Sequence, residues 1–201
     1  EDGDALLVNK PAGISVEPDG KGFPGDEQAA ERIKGLQLLV DRAAKYGIKI
    51  YLYVNEPRAL ETEYFESSEQ RRAYGGAVSG TMQAFCPSNP EVLGWLSRSM
   101  ESLFTQVKNL GGVFTITASE NFTTCVSHRR QHLCERCKDG DYEELIAGVT
   151  RAIEEGVHKA APDAKVIAWD WGWPDESCEE IIKRLPKKCW FMSVSEWSKP
   201  I

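Results

Sequence analysis

Residues 120–137 place a carboxylate and several potential metal ligands in one short stretch: Glu120, then Cys125, His128, Cys134 and Cys137. Cys125-x2-His128 and Cys134-x2-Cys137 are two close ligand pairs separated by five residues. That spacing suits a tetrahedral Cys3His site for a structural Zn²⁺, with His132 as a substitute fourth ligand. The loop has few apolar residues of its own, so a bound ion would supply folding energy that its side chains lack. Two other readings stay open: free thiols in a reducing compartment, or disulfides in an oxidising one. The pattern leans towards a cytoplasmic setting and leaves a secreted parent open. Cys86, Cys178 and Cys189 have no partner at metal spacing, and Cys189 reads as a small buried apolar residue.

Glu120 also belongs to a second pattern. Glu56, Glu120, Asp170 and Glu196 each follow closely on a short apolar run. In a chain that alternates strands and helices, the loops after the strands gather on one face, so these carboxylates are expected on one rim. A pair of carboxyl groups held there could cleave a glycosidic bond, one donating a proton to the leaving oxygen and the other facing the anomeric carbon. Glu120, Asp170 and Glu196 are the candidate catalytic carboxylates. Trp169, Trp171, Trp173, Trp190 and Trp197 crowd the later strand ends and offer apolar faces on which sugar rings stack. Trp169 and Trp190 lie inside their strands and read equally well as core. Glu56, Arg58, Asn121, Trp171, Trp173 and Trp197 are the candidate substrate-binding residues.

The elements that must position these groups follow from periodicity. Residues 48–54 (IKIYLYV), 112–118, 165–170 and 189–194 are short apolar or β-branched runs, the pattern of strands buried in a parallel sheet. Between them lie stretches with apolar residues three and four apart. One runs from an N-cap at Asp26 through Ile33, Leu36, Leu39, Val40 and Ala43 to Gly47; others cover 89–107, 142–158 and 177–185. Residues 59–90 form a connection longer than a passive loop, of the kind that walls a site. Connections of this length build parallel sheets. The expected fold is therefore α/β: a partial TIM (β/α) barrel of about four strand-helix units, or else a small open doubly wound sheet. Residues 1–25 read as an irregular segment and 26–201 as the barrel fragment, with a Cys/His-rich loop at 121–140.

Composition bounds the partners. With 41% hydrophobic and 9% aromatic residues the chain can bury a core. A net charge of -7 and a pI near 5.1 leave no basic stripe for nucleic acid. No apolar run approaches the roughly 18 residues needed to span a bilayer. The chain lacks an initiator Met and a signal-peptide pattern, and reads as a piece of a longer parent. The remainder of the barrel, or a second chain, would complete the fold.

The segments AAKYGIKIYLYVNEP, GGVFTITASEN and KVIAWDWGW, then a strand ending SEW, resemble the middle of the catalytic barrel of family-20 glycoside hydrolases, the hexosaminidase superfamily. The resemblance covers residues 26–201, about half a barrel. It implies that Glu120 stands where the family's general acid stands. The family's Asp before that acid is Ser119 here, which sets the acetamido-assisted mechanism apart from this sequence. The rival expectation is a non-catalytic sugar-binding or interaction domain with a structural zinc loop.

Overall fold

The computed structural model describes residues 5–9, 29–55, 57–119 and 121–193. In chain order these form β1 (Ala5–Asn9), α1 (Ala29–Ala44), β2 (Lys49–Val54), β3 (Leu60–Glu61), α2 (Thr62–Glu66), α3 (Glu69–Tyr74), β4 (Gly75–Ser79) and β5 (Met82–Phe85). Then come α4 (Pro90–Gln106), β6 (Gly112–Thr115), 3₁₀ turns at Ser127–Arg129 and Gln131–Leu133, α5 (Tyr142–Ala160), β7 (Lys165–Trp169), α6 (Asp175–Arg184) and β8 (Trp190–Met192).

The four expected strands are adjacent and parallel, in the order β2-β6-β7-β8. A fifth joins them at the β2 edge. The run Ala5–Asn9, expected within an irregular segment, is β1 and pairs parallel with β2. Five residues are too few for periodicity to separate a strand from a loop, and the pairing partner lies some forty residues away.

Helix packing decides between the two expected architectures. Ile50, Leu52 and Val54 of β2 alternate onto one sheet face with Val113 of β6 and Val166 of β7. That face meets Val40 and Ala43 of α1, Leu96, Met100 and Leu103 of α4, and Val149, Ile153 and Val157 of α5. Ala168 of β7 continues the face against Ile181 of α6. A doubly wound sheet carries helices on both faces, whereas among the described residues four helices cover one, the winding of a (β/α) barrel. Each of the large aliphatic side chains fully buried here contributes about 1.5–3 kcal/mol. The opposite face is aromatic: Tyr53 stacks on Phe114 with ring centroids 6.0 Å apart, Phe114 meets Trp169 at 5.2 Å, and Trp169 meets Trp171 at 5.3 Å.

Local chemistry sets the helix ends. Gly47, at φ 73°, ends α1, and its successor's N–H reaches back to the Ala43 carbonyl. Asn89 caps α4 by accepting from the Glu91 N–H at 2.9 Å, with Pro90 in the first turn. The position Asp26, expected to cap α1, lies outside the described residues. Helices α4 and α5 cross closely at Gly156, where a Cβ would sit 2.0 Å from the Ser97 carbonyl oxygen.

The long connection after β2 has a fold of its own. Strands β3, β5 and β4 form a small antiparallel sheet, and Phe65, Tyr74 and Phe85 pack as a cluster on Val92 and Trp95 of α4.

Candidate functional site

The C-terminal ends of β2, β6 and β7 lie side by side, because Val54 pairs with Thr115 and Thr115 with Ala168. Asp170 follows β7 directly and accepts a hydrogen bond from Ser193 Oγ at 2.6 Å, while its backbone N–H donates to the Met192 carbonyl. Trp171, beside it, is 39% exposed. Arg58 is exposed and Asn121 half-buried. Glu56, Glu120, Glu196 and Trp197 lie outside the described residues.

Trp173 differs from its expectation as an open stacking face. It is buried against Ala118, Val126 and Ile146, and its indole N–H donates to the Thr117 carbonyl at 2.8 Å. It clamps the loop after β7 onto the loop after β6. Gly172 completes the clamp: at φ 82° it approaches Ser119 so closely that a Cβ would lie 3.0 Å from the Ser119 Cα. Trp190 is 55% exposed, with the Lys165 ammonium 4.5 Å above its ring.

The loop after β6 is strained where it is clamped. Ala118 is buried and holds a left-handed backbone at φ 60°, a conformation that costs a non-glycine residue about 1–3 kcal/mol. Around it, the buried Asn55 Oδ1, Thr117 Oγ1 and Ser119 Oγ find no hydrogen-bond partner among the described residues. All three atoms sit just past strand ends. Composition and periodicity pointed to the carboxylates there and not to these neutral groups.

Four buried cysteines form the second centre. Cys86, Cys125, Cys134 and Cys137 bring their sulfurs within 4.8 Å of one another and could bind a metal ion. The cluster differs from the expected ligand set: it brings Cys86, and not His128, to Cys125, Cys134 and Cys137. His128 is exposed, with its ring stacked over Phe122 at 6.3 Å, and the exposed His132 sets Nδ1 3.2 Å from the Arg129 carbonyl. Cys86 was missed because ligand spacing is a local signal and its partners are about forty to fifty residues downstream. The bridge that delivers it is a parallel pairing of Phe85 with Thr124, which sets the next residues, Cys86 and Cys125, side by side.

The geometry fits a tetrahedral thiolate site. Cys86 Sγ lies 3.5 Å from Cys137 Sγ and 3.7 Å from Cys134 Sγ. An ion with bonds of about 2.3 Å at tetrahedral angles spaces its sulfurs about 3.8 Å apart, whereas a disulfide needs about 2.05 Å. None of the four is joined in a disulfide. Donors aim at the sulfurs: the Ala77 N–H at Cys125 (3.2 Å), Arg136 Nε at Cys86 (3.3 Å), and Ser88 Oγ lies 3.1 Å from Cys137 Sγ. Contact with Cys125 draws the Cys86 thiol down to about 6 and holds Cys134 well below the ordinary thiol range. Contact with Cys134 and Cys137 in turn pushes Cys125 up, and Cys137 is also raised, so the shifts divide the cluster between thiolate and thiol instead of depressing all four. Elsewhere, burial pushes Cys189 up to about 11, in keeping with an inert apolar role.

No family model and no curated protein matches the sequence. Among solved structures, the chain is similar to a GH31 dextranase from Flavobacterium johnsoniae complexed with glucose, at 8% identity and a TM-score of 0.51, over 83% of this chain and 21% of that one. It is also similar to a cycloalternan-forming enzyme from Listeria monocytogenes in complex with a pentasaccharide substrate, at 15% identity and a TM-score of 0.48, over 68% of this chain and 14% of that one. The chain thus spans about a fifth or less of the length of these structures. The dextranase likeness shows a shared fold and does not extend to the family-20 assignment. No helix among the described residues is long and apolar enough to cross a membrane.

Proposed function

We propose that the chain forms part of a carbohydrate-active (β/α) barrel that hydrolyses O-glycosidic bonds at its strand-end rim. Glu120 serves as general acid, and Asp170 or Glu196 as the second carboxylate. The observation that carries this reading is the position of Asp170. It stands at the rim shared by β2, β6 and β7, hydrogen-bonded to Ser193 and next to the partly exposed Trp171, which continues the aromatic row of Tyr53, Phe114 and Trp169. A carboxylate beside an aromatic platform is the arrangement by which a sugar ring is stacked and its anomeric carbon attacked. The strained Ala118, two residues before Glu120, adds support, because strain of this kind collects where a side chain must be aimed. Ser119 in place of the family-20 Asp argues for a substrate without an assisting acetamido group.

In the same reading, the four-cysteine centre holds one Zn²⁺ in a structural role. Four protein ligands leave no open position for water or substrate, which is the difference between structural and catalytic zinc.

Replacing Glu120 by Gln tests the assignment. Gln keeps the shape of the side chain but cannot deliver a proton, a loss of about 10²–10⁴ in rate on a natural glycoside. A nitrophenyl glycoside needs that proton less and should lose far less activity, with sugar binding retained in both cases. Equal loss on both substrates would remove Glu120 as the acid.

A further inference from the structure

The four cysteines come from two separate excursions of the chain. Cys86 closes the one that leaves β2, and Cys125, Cys134 and Cys137 belong to the one that leaves β6. Both rise from the C-terminal ends of adjacent strands. Besides the sulfurs, contacts between them include the Phe85–Thr124 bridge, the Ala59 N–H to the Phe122 carbonyl at 3.1 Å, the Arg136 guanidinium on the Gly75 carbonyl, and β4 lying against the 3₁₀ turn Gln131–Leu133. The apolar cluster between them consists of the four cysteines and Ala77, with Phe122 and Leu145 at its edge. One methyl group and two peripheral side chains bury little area, so thiols alone would hold this junction weakly. The main core draws no residue from 57–89 or 121–140; the first segment is anchored separately, by Phe65, Tyr74 and Phe85 on α4, and the second by Val126 against Ile146 and Ile181, so what the apolar clusters leave weak is the junction between the two.

We propose that the metal centre is a brace: one ion ties the β2 excursion to the β6 loop across the strand-end rim, and the facing parts of the two, residues 75–88 and 121–140, are ordered by it together, while the sheet and its helices fold without it. The inference rests on the zinc reading. Arg136 takes part as a positioning residue, with Nε directed at Cys86 and its other end on Gly75, so it joins ligand and excursion in one contact. Gly76 has the same character, since its missing side chain leaves room for Cys125 Sγ against β4.

Hydrogen exchange on the zinc-loaded protein, before and after chelation under reducing conditions, tests the brace. Chelation should speed exchange about tenfold or more in residues 75–88 and 121–140 together and leave 50–54, 96–104 and 149–157 protected. In Cys86→Ser, three thiolates remain on the β6 loop. Residues 75–88 should then exchange fast with or without zinc, while 121–140 still respond to it. Loosening of 121–140 alone, or loss of protection throughout the chain at once, overturns the brace and leaves zinc binding standing. Failure of the reduced protein to take up zinc overturns the zinc reading and the brace with it.

Discussion

Gly76→Ala should disable the metal centre without touching a ligand. A Cβ at this position would lie 2.2 Å from Cys125 Sγ and 3.2 Å from both Cα and Cβ of Cys86, so the new methyl falls between two ligands. Gly76 has no positive φ, and alanine is acceptable to its backbone; only space opposes it. For an ordinary contact the sulfur must recede by about 1.2 Å, several times the roughly 0.2 Å that a metal-ligand bond tolerates. In the zinc-free protein the Cys125 side chain can turn away at modest cost, whereas with zinc bound it cannot. The variant should therefore bind zinc at least about 100-fold more weakly, or about 2.7 kcal/mol. At saturating zinc this narrows the gap in Tm between loaded and chelated protein by roughly 5–10 °C. Chelator competition and paired thermal unfolding measure both quantities. Gly35→Ala is the control: Gly35 lies in α1 with nothing within 4 Å of an added Cβ, and the change should stabilise by about 0.5–1 kcal/mol whatever the metal. Wild-type zinc affinity in Gly76→Ala would refute the four-sulfur geometry.

Three further outcomes are expected. Arg136→Gln removes the guanidinium from Cys86 and should weaken zinc about 10–100-fold, read by the same competition assay. Trp173→Phe leaves the buried Thr117 carbonyl without its donor and should cost about 1–3 kcal/mol in denaturant unfolding, with the greater effect on amides of the clamped loops. Acidification should release zinc, because each thiolate takes up a proton as the ion leaves; zinc-linked stability is present at neutral pH and is lost as pH falls, which a series of metal titrations across pH would follow.

The sheet was legible because its strands are runs such as 48–54, whose alternate residues all serve one core. The helices were legible from Leu96, Leu103, Val149 and Ile153 at helical spacing. β1 was not, being too short to show a period. The four-cysteine cluster was half legible: Cys134-x2-Cys137 is a local turn and announces itself, whereas Cys86 reaches it through the pairing of β5 with a loop some forty residues on. The closer His128 had the better spacing, but its left-handed backbone at φ 55° turns with the 3₁₀ segment to the surface. Trp173 looked like an exposed aromatic because it follows a strand end, and only the tertiary contact with Thr117 shows it to be a clamp.

Sugar release decides whether the strand-end rim hydrolyses glycosides. The intact protein would be incubated with a panel of oligosaccharides and aryl glycosides, with calorimetric binding measured in parallel and Asp170→Asn and Glu196→Gln run beside the wild type. Cleavage of at least one glycoside is expected, abolished by one of the two substitutions while binding persists. Sugars that bind and are never cleaved would contradict it and leave a carbohydrate-binding domain on the same scaffold.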